Sequence, residues 1–185
     1  MVKRLANLGL EDIVGIEGYR QIANVYYPPH FLADLPSNWI LEEYPMTAAK
    51  GRWISLRGPV NQSRTRHTSL DIYLIEREDI PRCKSLDSWV AHMLEQESIG
   101  STTVLSSQET LIGGHRGHEV KIRSQRILPS PSGVANLELV KQWMAIDMGG
   151  YFFVVMYESS LEDFDIYFPV YERFLATLEF PQNTV

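Results

Sequence analysis

Cysteine is nearly missing: Cys83 is the single one among 185 residues, so no disulfide can form within the chain. That fits a reducing compartment, although exported proteins without disulfides satisfy it too. No apolar stretch approaches the roughly 18 residues that a membrane-spanning helix needs. Positive charge is also scarce, with 17 Lys and Arg against 23 Asp and Glu and a net charge of −6. That balance argues against general nucleic-acid binding, which needs a broad basic footprint. The start is not expected to act as a signal peptide, since Lys3 and Arg4 precede only residues 5–10 before Glu11 and Asp12 intervene. A signal peptide needs a longer apolar core and a small-residue cleavage site. The expectation is a cytoplasmic chain, with an exported form whose leader has been removed as the alternative. Signatures of catalysis are absent as well: no Gly-x-Ser-x-Gly elbow, phosphate loop or dinucleotide fingerprint occurs. Gly113-Gly114-His115-Arg116-Gly117 lacks the Lys-Ser/Thr pair and the following helix of a phosphate loop.

What is present suits one ordinary domain. Hydrophobic residues make up 44% and charged residues 22%, the proportions of a globular protein. The chain centres on residues 137–157, LELVKQWMAIDMGGYFFVVMY. Gly149-Gly150 suits a tight hairpin, because glycine adopts positive φ without steric cost. The stretch 151–157 has no polar position, whereas an exposed antiparallel strand alternates. With both parities apolar, it is expected in the middle of a sheet covered above and below.

Around that centre the chain reads as follows. Residues 1–22 are an arm or a short helix, and residues 23–185 a single domain. Residues 31–35 and 39–41 read as strands around a turn at Pro36-Ser37-Asn38. Residues 52–57 read as a strand closed by Gly58-Pro59, and residues 58–67 as the most polar loop. In 69–75, Leu70, Ile72 and Leu74 share a strand face. Residues 85–97 carry a helix signal, with Ser85 as N-cap and Leu86, Trp89, Val90, Met93 and Leu94 on one stripe. Residues 102–105 and 110–112 lead to a Gly113-Gly114 turn. A strand over 119–128 follows, its Glu119, Lys121 and Arg123 facing water, and residues 129–133 make a further turn. Pro169 is expected to open the last helix, with Val170, Phe174 and Leu178 on its stripe and Pro181 ending it. Blocks of strands without alternating βαβ units imply an α+β fold, an antiparallel β-sheet with helices packed on its faces.

Four segments in this order resemble the PsbP-like family of PsbP, Mog and DcrB-like proteins. They are FLADLPSNW (31–39), SLDSWVAHML (85–94), ETLIGGHRGHE (109–119), and the closing strand 150–157 with FPVYERFLATLEF (168–180). The likeness spans residues 23–180 and rests on order and spacing. It implies an αβα-type sandwich and roles without catalysis: binding a protein, docking on an assembly, or chaperoning. It carries over no catalytic residue and no cofactor. The family's exported branches have a leader or lipidation signal that is not read here.

Candidate sites are few. His115 and His118 form H-x-x-H beside Glu119, but zinc needs three or four converging ligands and no third stands at a useful spacing. Exposed turn histidines are the plainer reading. Lys50, Arg52, Arg57, Arg64 and Arg66 form a stretch without acids, and Arg116, Lys121, Arg123 and Arg126 a second one. Arg52, Arg57, Arg64, Arg66, Lys121 and Arg123 are thus candidates for a basic face toward an acidic protein partner; ordinary solvated arginines on edges and loops are the alternative. Trp39, Trp53, Trp89 and Trp143 read as core residues more readily than as a pocket lining. Glu42-Glu43 and Glu162-Asp163 read as solvated. The functional expectation is a non-enzymatic adaptor or chaperone-like module. The alternative is a small-ligand or lipid-binding domain with a pocket between sheet and helices.

Overall fold

In the computed structural model, the apolar run after Gly149-Gly150 is shielded on both faces. The structure describes residues 16–24, 29–45, 51–60, 67–80, 83–97, 101–130 and 133–181. Their elements in chain order are β1 Tyr19–Asn24, β2 Phe31–Pro36, β3 Ile40–Pro45, β4 Gly51–Val60 and β5 His67–Glu76. Next come α1 Leu86–Glu97, β6 Thr102–Ile112, β7 His115–Ser130, β8 Gly133–Asp147, β9 Tyr151–Ser160 and α2 Phe164–Thr177. Seven strands form an antiparallel sheet in the order β3-β4-β5-β9-β8-β7-β6, so β9 is its middle strand. Phe152, Phe153, Val154, Val155 and Tyr157 are buried in sequence along it. Gly149 takes φ 79° in the β8–β9 turn, and the Asp147 carboxylate accepts its N–H at 2.9 Å.

Alternate residues of the sheet face two separate cores. Leu70, Ile72, Leu74, Val155 and Tyr157 join Phe164, Val170, Tyr171 and Phe174 of α2 in the larger one. The hairpin β1–β2 closes that core with Phe31, Ala33 and Leu35. The Arg173 guanidinium pairs with Asp34 at 2.9 Å and lies 4.0 Å from the Tyr19 ring centre, fastening α2 to the hairpin. On the opposite face, Leu86, Trp89 and Val90 of α1 meet Val120, Ile122, Trp143, Phe152 and Val154. Ser85 caps α1 by accepting the Ser88 N–H at 3.2 Å, as a hydroxyl at that position does. One helix therefore lies on each face, and the fold class is α+β as the sequence implies.

Several local expectations are corrected. Strand β1 covers Tyr19–Asn24, across the expected boundary at residue 22. Gly58-Pro59 does not close β4; the strand continues to Val60 through a register shift after Arg57. A Cβ on Gly58 would stand 2.6 Å from the Trp39 ring, so the glycine lets the indole lie flat on the backbone. Residues 61–66 of the expected polar loop lie outside the described residues. Of the three residues expected to face water, Arg123 is exposed, but Glu119 and Lys121 are only half-exposed: Glu119 accepts from Tyr171 and Gln142, and Lys121 sits 4.2 Å above the Phe164 ring. Pro169 lies inside α2 and not at its start. Phe164, Tyr167, Val170, Tyr171 and Phe174 are all buried in the larger core, on both sides of the proline, and that burial together offsets the hydrogen bond the proline withholds. Thr177 is the last residue of α2, well before Pro181, and Glu179 then bridges Leu32 through two 2.9 Å bonds.

Candidate functional site

The two edges of the large sheet are unlike. β3 has six residues, among them Glu42 and Glu43, and ends at Pro45; charges and proline at an edge discourage a further strand. Those acids are engaged, Glu42 with Arg57 at 2.7 Å and Glu43 with Arg52 at 3.0 Å. β6 has eleven residues, TTVLSSQETLI, with Glu109 its one charge and no lysine or proline. Nearly all of it is exposed, and its outer side has no neighbouring strand among the described residues. Gly113 and Gly114 (φ 55° and 84°) make the tight turn that returns the chain into β7, both positive as a type I′ hairpin requires.

Pairing with β7 shows which way each side chain of β6 points. A bulge between Val104 and Ser106 resets the alternation. Val104, Ser107, Glu109 and Leu111 oppose Ile122, Val120, His118 and Arg116 and share the α1 side of the sheet. Ser106, Gln108, Thr110 and Ile112 oppose Lys121, Glu119, Gly117 and His115 on the α2 side. Leu111 is 71% exposed, Val104 50% and Leu105 49%. On the α1 side, Arg116 donates to Glu109 at 2.8 Å and to Asp87 of α1 at 2.9 Å. Glu109 first, then Asp87, hold the guanidinium above its ordinary pKa. A groove of about 380 Å³ opens on the α2 side at the start of β6, between Thr103, Leu105, Arg123, Gln125 and Glu138. Its Arg123–Glu138 hydrogen bond lowers the Glu138 pKa.

The residues singled out in sequence are dispersed. Arg52 and Arg57, five positions apart on β4, project to opposite sheet faces. β5, β9 and β8 separate β4 from β7, so these arginines stand roughly 19 Å across the sheet from Lys121 and Arg123. Arg64 and Arg66 lie outside the described residues. His115 and His118, three apart on a strand, also point to opposite faces. The His115 ring packs 5.5 Å from Phe180, and His118 Nε2 bonds Ser107 Oγ at 2.8 Å. Among the described residues no group of three or more His, Cys, Asp or Glu is placed to hold a metal. Trp39, Trp89 and Trp143 are buried in the cores. Trp53 is only half-buried, stacked 6.0 Å from Tyr73, with its Nε1 donating to Asp71 at 2.9 Å.

Sequence reading passed over a buried ionic group. Lys141 on β8 reaches Glu97 of α1 at 2.5 Å and Glu158 of β9 at 3.6 Å, with all three side chains at most 16% exposed. A lone lysine inside LELVKQWMAID was the available signal, because a buried ammonium must find carboxylates. The edge position of β6 was not legible, because nothing in TTVLSSQETLI tells which strands pair with it.

No known family profile matches the sequence, and no curated protein matches it. Solved structures do. A Pseudomonas aeruginosa protein of unknown function, described as a candidate regulator, shares 15% identity and a TM-score of 0.53 over 90% of this chain and 99% of its own. The cyanobacterial PsbP of Synechocystis sp. PCC 6803 gives 10% identity and 0.56 over 91% and 95%. LpqN of Mycobacterium tuberculosis, involved in cell envelope biogenesis, gives 12% and 0.50 over 91% and 95%. At these identities the likeness concerns architecture alone, and by architecture this chain has the PsbP-like fold.

Proposed function

We propose that this chain is a non-enzymatic protein-binding module, adaptor or chaperone-like, that receives its partner along the β6 edge. The contrast between the two sheet edges carries the reading. β3 is short, charged and ends in proline; β6 is long, almost uncharged and without a strand on its outer side among the described residues. Every second N–H and C=O on the outer side of such a strand is available to an added strand. Exposed Val104, Leu105 and Leu111 supply apolar surface beside it. The groove next to Arg123 offers hydroxyls and an amide for polar side chains. The neighbours described as a candidate regulator and as acting in envelope biogenesis support an accessory role. Arg52 and Arg57 lie on opposite faces of β4 and each pairs with a β3 glutamate, so a common basic contact there is not favoured. A pocket between sheet and helices is not favoured, because Phe31, Phe153, Tyr157 and Phe174 fill that space.

The test is capture from source cells with the wild-type chain and a Val104→Lys/Leu111→Lys variant, followed by mass spectrometry and direct binding. Both positions are exposed, so the variant should keep the wild-type melting temperature. The expected result is a protein bound by the wild type and lost by the variant. A partner retained equally by both overturns the edge reading, and a wild-type chain that retains no protein counts against a binding module.

A further inference from the structure

We infer that the strand added to β6 carries a basic side chain opposite Glu109, with an apolar side chain two residues away opposite Leu111. This rests on the reading of β6 as a docking edge and specifies the chemistry of its occupant. Past the bulge, residues 106–112 offer a regular outer edge about 23 Å long. Its α1 side presents Leu111, Glu109 and Ser107 in a row. Glu109 and Asp87 are 65% and 62% exposed and share one guanidinium, that of Arg116. Among the described residues these two carboxylates pair with that one cation, which leaves the row one negative charge in excess, in half-solvated surroundings where a cross-strand cation gains. An acidic residue at that place would be a third carboxylate beside Asp87 and Glu109.

The α2 side has no such preference, since Gln108 donates to Glu119 and Arg123 is matched by Glu138. Leu111, 71% exposed, gives the neighbouring position an apolar contact. A second copy of the chain fits less well. Antiparallel self-pairing centred on the regular run sets Glu109 against the Glu109 of the other copy, and like charges directly opposite are destabilising.

Three peptides of roughly nine residues, long enough to cover residues 106–112, test this. They share one Val/Thr-rich sequence and differ only at the central position, which is Lys, Gln or Glu. Binding to the full chain is followed by amide chemical shifts. The Lys peptide is expected to bind at least about fivefold tighter than the Glu peptide, with Gln between them and the shifts on Thr102–Ile112. The difference should shrink at raised salt and in an Asp87→Asn/Glu109→Gln variant. Equal affinities with shifts on β6 overturn the basic preference and leave the edge reading standing. Tighter binding of the Glu peptide overturns the preference too. Absence of β6 shifts with all three overturns the inference, while the capture experiment judges the edge reading separately. Concentration-dependent β6 shifts without peptide would assign the edge to a second copy instead.

Discussion

Single residues are held by contacts of very different sequence range. Gly58 tolerates no Cβ, because Trp39, 3% exposed and nineteen positions earlier, already fills the site. Gly58→Ala is expected to destabilise the chain by about 1–3 kcal/mol, the range for overpacking a well-filled core. Denaturant midpoints at unchanged slope measure it, and a cost below about 0.3 kcal/mol would show that the indole yields freely. The tyrosines give a second expectation. Burial raises the Tyr73, Tyr157 and Tyr171 pKa values above that of a free phenol. Their neutral forms therefore stabilise the fold fully below pH of about 10, where a free phenol ionises. Above that pH the unfolded chain sheds protons the native chain retains, and stability falls by about 1.4 kcal/mol per pH unit for each such tyrosine. In an ultraviolet titration these three of the nine tyrosines should ionise only as the circular dichroism signal is lost. Smooth ionisation of all nine in the folded chain would contradict the burial argument. The Gly113-Gly114 and Gly149-Gly150 turns were readable in sequence because each is a local demand for positive φ. Gly58 was not, since its demand comes from a residue remote in the chain.

Elements show the same division between local and remote causes. α1 was legible because cap and stripe lie within thirteen residues of each other, from Ser85 to Glu97. The start of α2 was misread because proline at a first turn is the commoner case, and only the burial of Phe164 and Tyr167 in the larger core shows why the helix begins earlier. β1 was missed because YRQIAN has no clean alternation; its pairing with β2 and the hold of Arg173 on Tyr19 make it a strand. Lys141 ties α1 to the sheet. Lys141→Met removes the ammonium that Glu97 and Glu158 share in the buried group and is expected to cost about 3–5 kcal/mol. Adding Glu97→Gln and Glu158→Gln should recover most of that loss, because a neutral hydrogen-bonded or apolar set can replace a buried ion group at little net cost. Equilibrium denaturation of the wild type, the single variant and the triple variant checks it. A single substitution costing under about 1 kcal/mol would contradict a buried ion group that holds α1 to the sheet.

At the scale of the whole molecule, strand β9 sets the arrangement. An apolar run on both parities can be satisfied only at the middle of a covered sheet, which sends β3 and β6 to opposite edges and the helices to opposite faces. That much followed from the residues in order. The candidate site did not, because an edge is defined by what fails to pair with it, and the basic residues that looked contiguous in sequence are spread over both faces and both halves of the sheet. Hydrogen–deuterium exchange of the full chain, alone and with the protein it captures from its source cell, measures most directly where a partner docks. Slowed exchange centred on Thr102–Ile112, with β3 unchanged, is the expected result. Protection confined to β3 and β4 or to the outer face of α2, with β6 exchanging as in the free chain, would contradict docking along this edge.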